Sequence, residues 1–325
     1  MKIVVETPAR LHLGFIDLNG ECGRIFGSIG VALDRPRFVL EAISGEGIQP
    51  DGTSEDAETL ETLRDMRSRL GLESGVTVRE IESIPRHMGF GSGTQRRLAA
   101  AFAISRLAGK AVPVPELAQL VGRGRRSGVG IAVFQQGGLV VDAGRRTESD
   151  GRPARGDLDI PPVIFQHPVP QDWIFVIVTP SETQGLCGPR EEEIFRHLPP
   201  MGQDMVGRIS RLTLMGVIPG VMTDDIQGFG EAIGEIQTLM GQYFAPYQGG
   251  IWATRTGKEV AAKALERGAF AVGQSSWGPA VFALVRGEET AMALAQDIRD
   301  VSGTGTLTAF YTRANNRGMT WRCDS

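Results

Sequence analysis

Cysteine is scarce in this 325-residue chain: Cys22, Cys187 and Cys323 are widely separated and match neither a C-x-x-C pair nor a Cys/His zinc spacing. That excludes a disulfide scaffold and predicts a reduced, cytoplasmic protein. Charge of one sign is also lacking. A formal net charge of −4 and a pI near 5.7 exclude a dedicated nucleic-acid binder, and the basic clusters Arg123–Arg126 and Arg145–Arg146 are only local. The N-terminal run MKIVVETPARLHLGF has no signal-peptide core, and no later apolar stretch approaches a membrane span in this reading, so no membrane attachment is expected. Internal repeats, low-complexity tracts and charge blocks are missing too, which sets aside solenoids and disordered tails. What remains is a globular chain, 41% hydrophobic, long enough for two domains that share a cleft.

What the chain does have is glycine in a particular place. The stretch IPRHMGFGSGTQ, Ile84 to Gln95, sets Gly89, Gly91 and Gly93 at alternate positions and runs into a helical pattern over Arg96 to Leu107. Glycines there permit positive φ and close approach of backbone to a ligand. The amides of Ser92, Gly93, Thr94 and Gln95 would sit at a helix N-terminus carrying partial positive charge, a place suited to phosphate or pyrophosphate. The same glycines would also serve a plain capping turn with Ser92 or Thr94 as N-cap.

Around this loop the pattern is α+β. Lys2 to Glu6 reads as a strand ended by Thr7-Pro8, and Gly27 to Leu33 and Phe38 to Ala42 as two more, separated by a turn at Asp34-Arg35-Pro36. Ser54 to Leu70 has helical spacing, Gly75 to Ile81 returns to strand, and Val114 to Gly122 is a short helix led in by Pro115. Ile131 to Val141 is β-prone around a glycine pair. Glu148 to Pro162 is the expected linker, giving domains at 1–160 and 161–325. Beyond it, strands are expected at Trp173 to Val178, Pro279 to Val285 and Thr306 to Tyr311, and helices at Glu191 to Leu198, Phe229 to Phe244 and Gly257 to Arg267.

Two further segments carry polar groups suited to a site. In TPARLHLGFIDLNGECGR, Arg10 and His12 share a strand face opposite Leu11 and Leu13, and Asp17, Asn19 and Arg24 follow around a turn. Asp17-Leu18-Asn19-Gly20 also reads as an ordinary turn. In AVGQSSWGP, Gln274, Ser275 and Ser276 form a hydroxyl-rich loop before a strand, which packing of Trp277 alone would also explain. Glu191-Glu192-Glu193 reads as an acidic first helical turn, and Asp224-Asp225 as a helix cap. His87 lies within reach of any ligand on the glycine loop, whereas His167 and His197 are assigned no chemistry.

Taken in order, these elements resemble the GHMP superfamily of small-molecule kinases over essentially the full length. The central loop keeps Gly89, Gly91 and Ser92 but has Gly93-Thr94-Gln95 where Ser-Ala-Ala is usual, and the segment Ser127 to Gln136 lacks the acidic residue that many of these kinases carry there. TPARLHLGFIDLNG, MGFGSGTQ, RSGVGIAVFQQGG, FAPYQGG, GQSSWGP and Ala314-Asn315-Asn316-Arg317-Gly318 together resemble, more narrowly, the β-ribofuranosylaminobenzene 5′-phosphate synthase family. The resemblance implies a ribosomal-protein-like N-terminal domain and a ferredoxin-like C-terminal domain. It implies condensation of 4-aminobenzoate, or its 4-hydroxy analogue, with phosphoribosyl diphosphate, releasing CO2 and pyrophosphate on the way to tetrahydromethanopterin. Mg²⁺ would accompany such a substrate, with Asp17 as its ligand; His12, Asp17 and Arg24 would act at the reacting centre. Arg10, Asn19, Gly89 to Gln95 and Gln274 to Ser276 would bind substrate. A homodimer is the expected assembly, and an ATP-dependent kinase is the alternative activity.

Overall fold

The computed structural model describes residues 1–45, 48–50, 57–148, 153–154, 160–180, 188–301 and 307–324. Most of the expected linker and Cys187 lie outside them; Cys22 and Cys323 are exposed free thiols. The first unit comprises β1 (Lys2–Asp17), β2 (Arg24–Gly45), β3 (Ile48–Pro50), α1 (Ala57–Leu70), β4 (Gly75–Glu82), α2 (Ser92–Leu107), α3 (Val114–Leu120), α4 (Val129–Gln135), β5 (Leu139–Asp142) and β6 (Arg145–Arg146). There follow β7 (Val163–His167), β8 (Trp173–Pro180), α5 (Gly188–His197), α6 (Gln203–Leu212), a π-helical turn Thr213–Val217, α7 (Ile218–Met222), α8 (Ile226–Gln248) and α9 (Arg255–Glu266). The chain closes with β9 (Ala271–Gln274), β10 (Val281–Arg286), α10 (Glu288–Val301), β11 (Leu307–Arg313) and β12 (Thr320–Asp324).

Two sheets result. The larger has the path β12-β1-β2-β4-β3, with β5, β6 and β7 branching from the far part of β2; the smaller is antiparallel in the order β11-β8-β10-β9. With helices between β8 and β9 and between β10 and β11, the smaller sheet has ferredoxin-like order, so the α+β architecture expected from the motifs holds. Strands beyond residue 160 also join the larger sheet: β7 pairs β5, and β12 pairs β1. Helix α2 is buried on nearly all sides, from Leu98 through Ile104, as a helix sandwiched between layers must be.

Three expectations need correction. The first strand does not end at Thr7-Pro8 but continues to Asp17. Pro8 falls just past the last β12 pair, Glu6–Thr320, where the outer edge of β1 carries no strand and a missing N–H costs little. Likewise Asp34-Arg35-Pro36 is no turn between strands: β2 runs through it, and the register jump from Pro8–Arg37 to Ala9–Leu33 absorbs these residues as a bulge containing a cis Arg35–Pro36 bond. Finally, the β-prone Ile131 to Val141 splits into α4 and β5 at Gly137-Gly138, both at positive φ (71° and 74°). A Cβ at Gly137 would lie 2.3 Å from the Asn315 carbonyl oxygen, so the glycines let the C-terminal tail cross there, and tertiary packing overrides strand propensity.

The segment Gln203–Met222 has the length and composition of a membrane span, contrary to the reading from composition. One side is docked on the protein: Gly216 and Gly220 abut Ala232 and Phe229 of α8 so closely that a Cβ would come within 2.6 Å and 2.8 Å.

Candidate active site

The site grows out of the edge that β12 leaves uncovered. Past Glu6, the outer edge of β1 is taken by loops instead of a strand. The Arg10 amide donates to the Phe90 carbonyl (3.0 Å), the His12 amide to Ser275 Oγ (3.0 Å), and the Ser276 amide to the His12 carbonyl (3.3 Å). Gln237 of α8 adds a bond from Nε2 to the Leu13 carbonyl (2.7 Å). The glycine loop, the serine loop and β1 are thus laced into one wall. Ser275, fully buried, ties the first two by donating to the Gly89 carbonyl (2.7 Å).

The glycines are required by this lacing. Gly91 is the N-cap of α2 at φ 74°, ψ 20°, and a Cβ there would stand 3.1 Å from Arg10 Cγ; at Gly89 it would stand 2.2 Å from the Ser275 carbonyl oxygen. No side chain caps α2, so the expectation that Ser92 or Thr94 is the N-cap fails: the αL glycine takes that place, and its carbonyl accepts from the Thr94 and Gln95 amides (3.1 and 3.3 Å). The first amides of the helix, at Ser92 and Gly93, are left with the orphan character that favours an anion.

Arg10 lies against this helix start. Its guanidinium bonds the Gly89 carbonyl, and burial lowers its pKa to about 10, with Glu191 acting in the opposite sense, so it is a cation at neutral pH. Glu191 lies in the first turn of α5, as read from sequence, and there also pairs with Arg126 (2.7 Å) and faces Arg10; burial raises its pKa against the pull of both arginines. Arg126 also stacks over the Phe195 ring at 4.3 Å, which fixes α5 over the site. His12 is 4% exposed, and burial, then Arg10, push its pKa down to about 3, so the imidazole is neutral. Its ring meets Phe15 at 4.6 Å.

On the other side of His12 lies a cavity of about 510 Å³, whose wall includes Phe15, Phe244, Trp252, Gln274, Ser276 and Trp277. Gln274 braces this wall, accepting from the Ala253 amide (2.9 Å) and donating to the Ser276 carbonyl (3.1 Å).

The remaining predicted residues are placed elsewhere or otherwise engaged. Asp17 stands five residues beyond His12 on β1, about 16 Å along an extended strand. Its Oδ1 accepts from the amides of Asn19 (2.6 Å) and Gly20 (3.0 Å) in an Asx turn, leaving Oδ2 without a hydrogen-bond partner among the described residues. Asn19 donates to the Met201 carbonyl (2.8 Å), and Arg24 spends Nε and Nη2 on the carbonyls of Ala143 (2.7 Å) and Gly144 (2.8 Å). Gln95, wholly buried, bonds Thr7 and the Gly130 carbonyl, and Thr94 packs against Gly130. His87 is exposed beside the loop at φ 59°. Asp225 caps α8 by accepting from the Gly228 amide (2.9 Å), as expected. Among the described residues no group of three or more His, Cys, Asp or Glu side chains is arranged to hold a metal.

The GHMP kinases N terminal domain model matches residues 58–138, which hold the glycine loop and α2. Of curated relatives, one from Methanothermobacter thermautotrophicus is 32% identical over 338 residues, 98% of each chain, and one from Archaeoglobus fulgidus is 32% identical over 325 residues, 97% of this chain and 98% of its own. Both are named beta-ribofuranosylphenol 5′-phosphate synthase. This chain belongs to that family. Among solved structures, a mevalonate diphosphate decarboxylase from Staphylococcus aureus matches with a TM-score of 0.68 at 14% identity over 99% of this chain and 98% of its own. A homoserine kinase from Cytophaga hutchinsonii matches at 0.66 and 18% identity over 99% and 97%. These establish the GHMP architecture for the synthase family member described here, and the family itself stands against the kinase alternative.

Proposed function

We propose that this chain joins a para-substituted benzoate, 4-hydroxybenzoate or 4-aminobenzoate, to phosphoribosyl diphosphate, releasing CO2 and pyrophosphate. The observation that carries the reading is a juxtaposition: a glycine-built helix start backed by the Arg10 cation adjoins, across His12, an aromatic-walled cavity. The first suits a departing pyrophosphate; the second suits a ring. The names of the relatives, which contain ribofuranosylphenol, favour the hydroxy acid.

In this mechanism the para substituent pushes electrons onto the ring carbon bearing the carboxylate. That carbon attacks the ribose anomeric carbon while the bond to pyrophosphate breaks, and loss of CO2 returns its electron pair to the ring. No proton is consumed. The protein's work is therefore positional and electrostatic. Arg10 and the first amides of α2 balance charge on the leaving group, and Ser275 keeps the glycine loop and β1 in register. His12, held neutral, adds no charge to a buried site. ATP has no part in the reaction.

Mg²⁺ suits such a substrate because it is held by one or two carboxylates with phosphate oxygens completing its shell. The unpartnered Oδ2 of Asp17 offers one such ligand, but about 16 Å of strand separates it from His12, so an ion there would meet the end of the substrate remote from the glycine loop; among the described residues no carboxylate cluster supplies a second protein ligand. When bound there, the ion would neutralise phosphate charge at that end of the substrate. The free thiols and modest charge support a cytoplasmic setting, and the pathway position toward tetrahydromethanopterin follows the resemblance.

The test is incubation of purified protein with Mg²⁺, phosphoribosyl diphosphate and carboxyl-labelled 4-hydroxybenzoate or 4-aminobenzoate, with ATP in a parallel tube. Equal release of labelled CO2 and pyrophosphate without ATP is expected. ATP consumption with no CO2 would overturn the reading.

A further inference from the structure

Two ring nitrogens beside the cavity have no hydrogen-bond partner among the described residues: His12 Nε2 and Trp277 Nε1. Both residues line the cavity, and they are only 4% and 5% exposed. A buried polar atom without a partner is costly and uncommon, and two at one cavity wall call for a ligand that supplies both. An indole N–H can only donate, so that ligand must present an acceptor. His12 is neutral here, and in the tautomer protonated at Nε2 it is a second donor.

Their position narrows the choice. His12 is laced through Ser275 to Gly89, and Gly278, next to Trp277, lies so close to the glycine loop that a Cβ would come within 2.2 Å of the Met88 carbonyl carbon. Both donors therefore stand at the end of the cavity nearest the glycine loop. Phe244 lies 4.4 Å from the Trp277 ring, and Phe15 lies 4.6 Å from the His12 ring.

We propose, resting on the synthase reading above, that this cavity is the aromatic-acid subsite, and that His12 Nε2 and Trp277 Nε1 each donate to one oxygen of the substrate carboxylate. The ring lies between Phe15 and Phe244, and the carboxylate-bearing carbon points toward the glycine loop, where the anomeric carbon would arrive. As the rings stand, both nitrogens are sealed from water and Phe195 packs against Phe15, Phe244 and Trp277, so entry of the acid displaces one of these phenyl rings and the site forms around its ligand. Holding the carboxylate by two neutral donors fixes its direction without an ion pair to it, which keeps departure as neutral CO2 favourable. The electron pair of the breaking bond stays with the ring and both donors stay with the protein.

The experiment uses protein labelled with ¹⁵N-tryptophan, whose four indole N–H signals are followed as 4-hydroxybenzoate is added, with Trp277→Phe assigning the signal. Calorimetry measures affinities of both proteins for 4-hydroxybenzoate, for 4-cresol, which lacks the carboxylate, and for phosphoribosyl diphosphate. The Trp277 signal should move downfield with the acid and not with cresol. Trp277→Phe should weaken 4-hydroxybenzoate roughly ten-fold while leaving the other two within two-fold. An unmoved Trp277 signal at saturation, an unchanged affinity, or no binding of the acid overturns the subsite. Acid binding as described without CO2 release would sink the synthase reading and leave the subsite standing; turnover with an unmoved signal would do the reverse.

Discussion

The two ends of β1 hold similar residues and use them differently. At the glycine-loop end, Arg10 and His12 are pressed against backbone that supplies too few partners: Arg10 keeps its charge beside a helix start, and His12 keeps a bare ring nitrogen. At the hairpin end, Asn19 and Arg24 are engaged with main-chain groups of their own fold, and Asp17 is half occupied. The contrast teaches that a polar side chain is available for chemistry according to what the fold leaves unsatisfied around it, and residue type alone does not report that.

Breaking the comparison begins with Asp17. If its spare oxygen holds the metal, Asp17→Asn keeps the Asx turn through Oδ1 yet should cut turnover by about two to four powers of ten. A parallel measurement of Mn²⁺ affinity in the presence of phosphoribosyl diphosphate should fall with it; normal turnover and normal metal affinity would make the hairpin end purely structural. Next is Gly91→Ala, which forces an L-residue into φ 74° and pushes on Arg10. The left-handed conformation lowers stability by about 1–2 kcal/mol, and displacement of Arg10 and the loop amides by the new Cβ should weaken phosphoribosyl diphosphate binding by about ten-fold in calorimetry.

Arg24→Gln sharpens the contrast in the opposite sense. It removes two charge-assisted bonds to the 143–144 turn and should lower stability by about 2 kcal/mol in chemical denaturation, with kcat and KM each within about three-fold of the parent. A hundred-fold loss of kcat at unchanged stability would give Arg24 the catalytic role expected from sequence. The last prediction concerns pH. His12 has a folded pKa near 3, below its ordinary 6.5, so its contribution is present above pH 6.5 and is lost as pH falls toward 3, where the unfolded chain binds a proton and the folded protein does not. Denaturation midpoints of His12→Gln should fall less steeply than the parent's over that window, whereas activity above pH 5 should show no inflection from His12.

The glycine loop, much of both sheets and the helices α1, α2, α8 and α9 were legible because they rest on local signals of glycine spacing, apolar periodicity and helix-end residues, whereas α10 and the helical stretch Gln203–Met222 were not read from sequence. Arg10 and His12 could be placed on one strand face for the same reason. Glu191 and Trp277 could not be read as site residues, since what distinguishes them is contact with Arg126, Arg10 and the cavity, all distant in sequence. Gln95 was misjudged in the other direction. It lies in the phosphate-loop motif, but its amide is consumed by Thr7 and Gly130, partners that no local pattern announces. The continuity of β1 past Pro8 was hidden for a related reason: a proline's tolerance depends on where β12 stops.

That stopping point also bears on how the protein is made. Lys2 pairs with Asp324, so β1 waits for a strand translated more than three hundred residues later, an interval on the order of tens of seconds at ordinary synthesis rates. Until then the apolar residues of β1, among them Ile3 and Val5, have only β2 to cover them along the edge. A nascent chain stalled before residue 320 would carry an open sheet margin, which makes late truncations of this protein candidates for aggregation before they are candidates for inactivity.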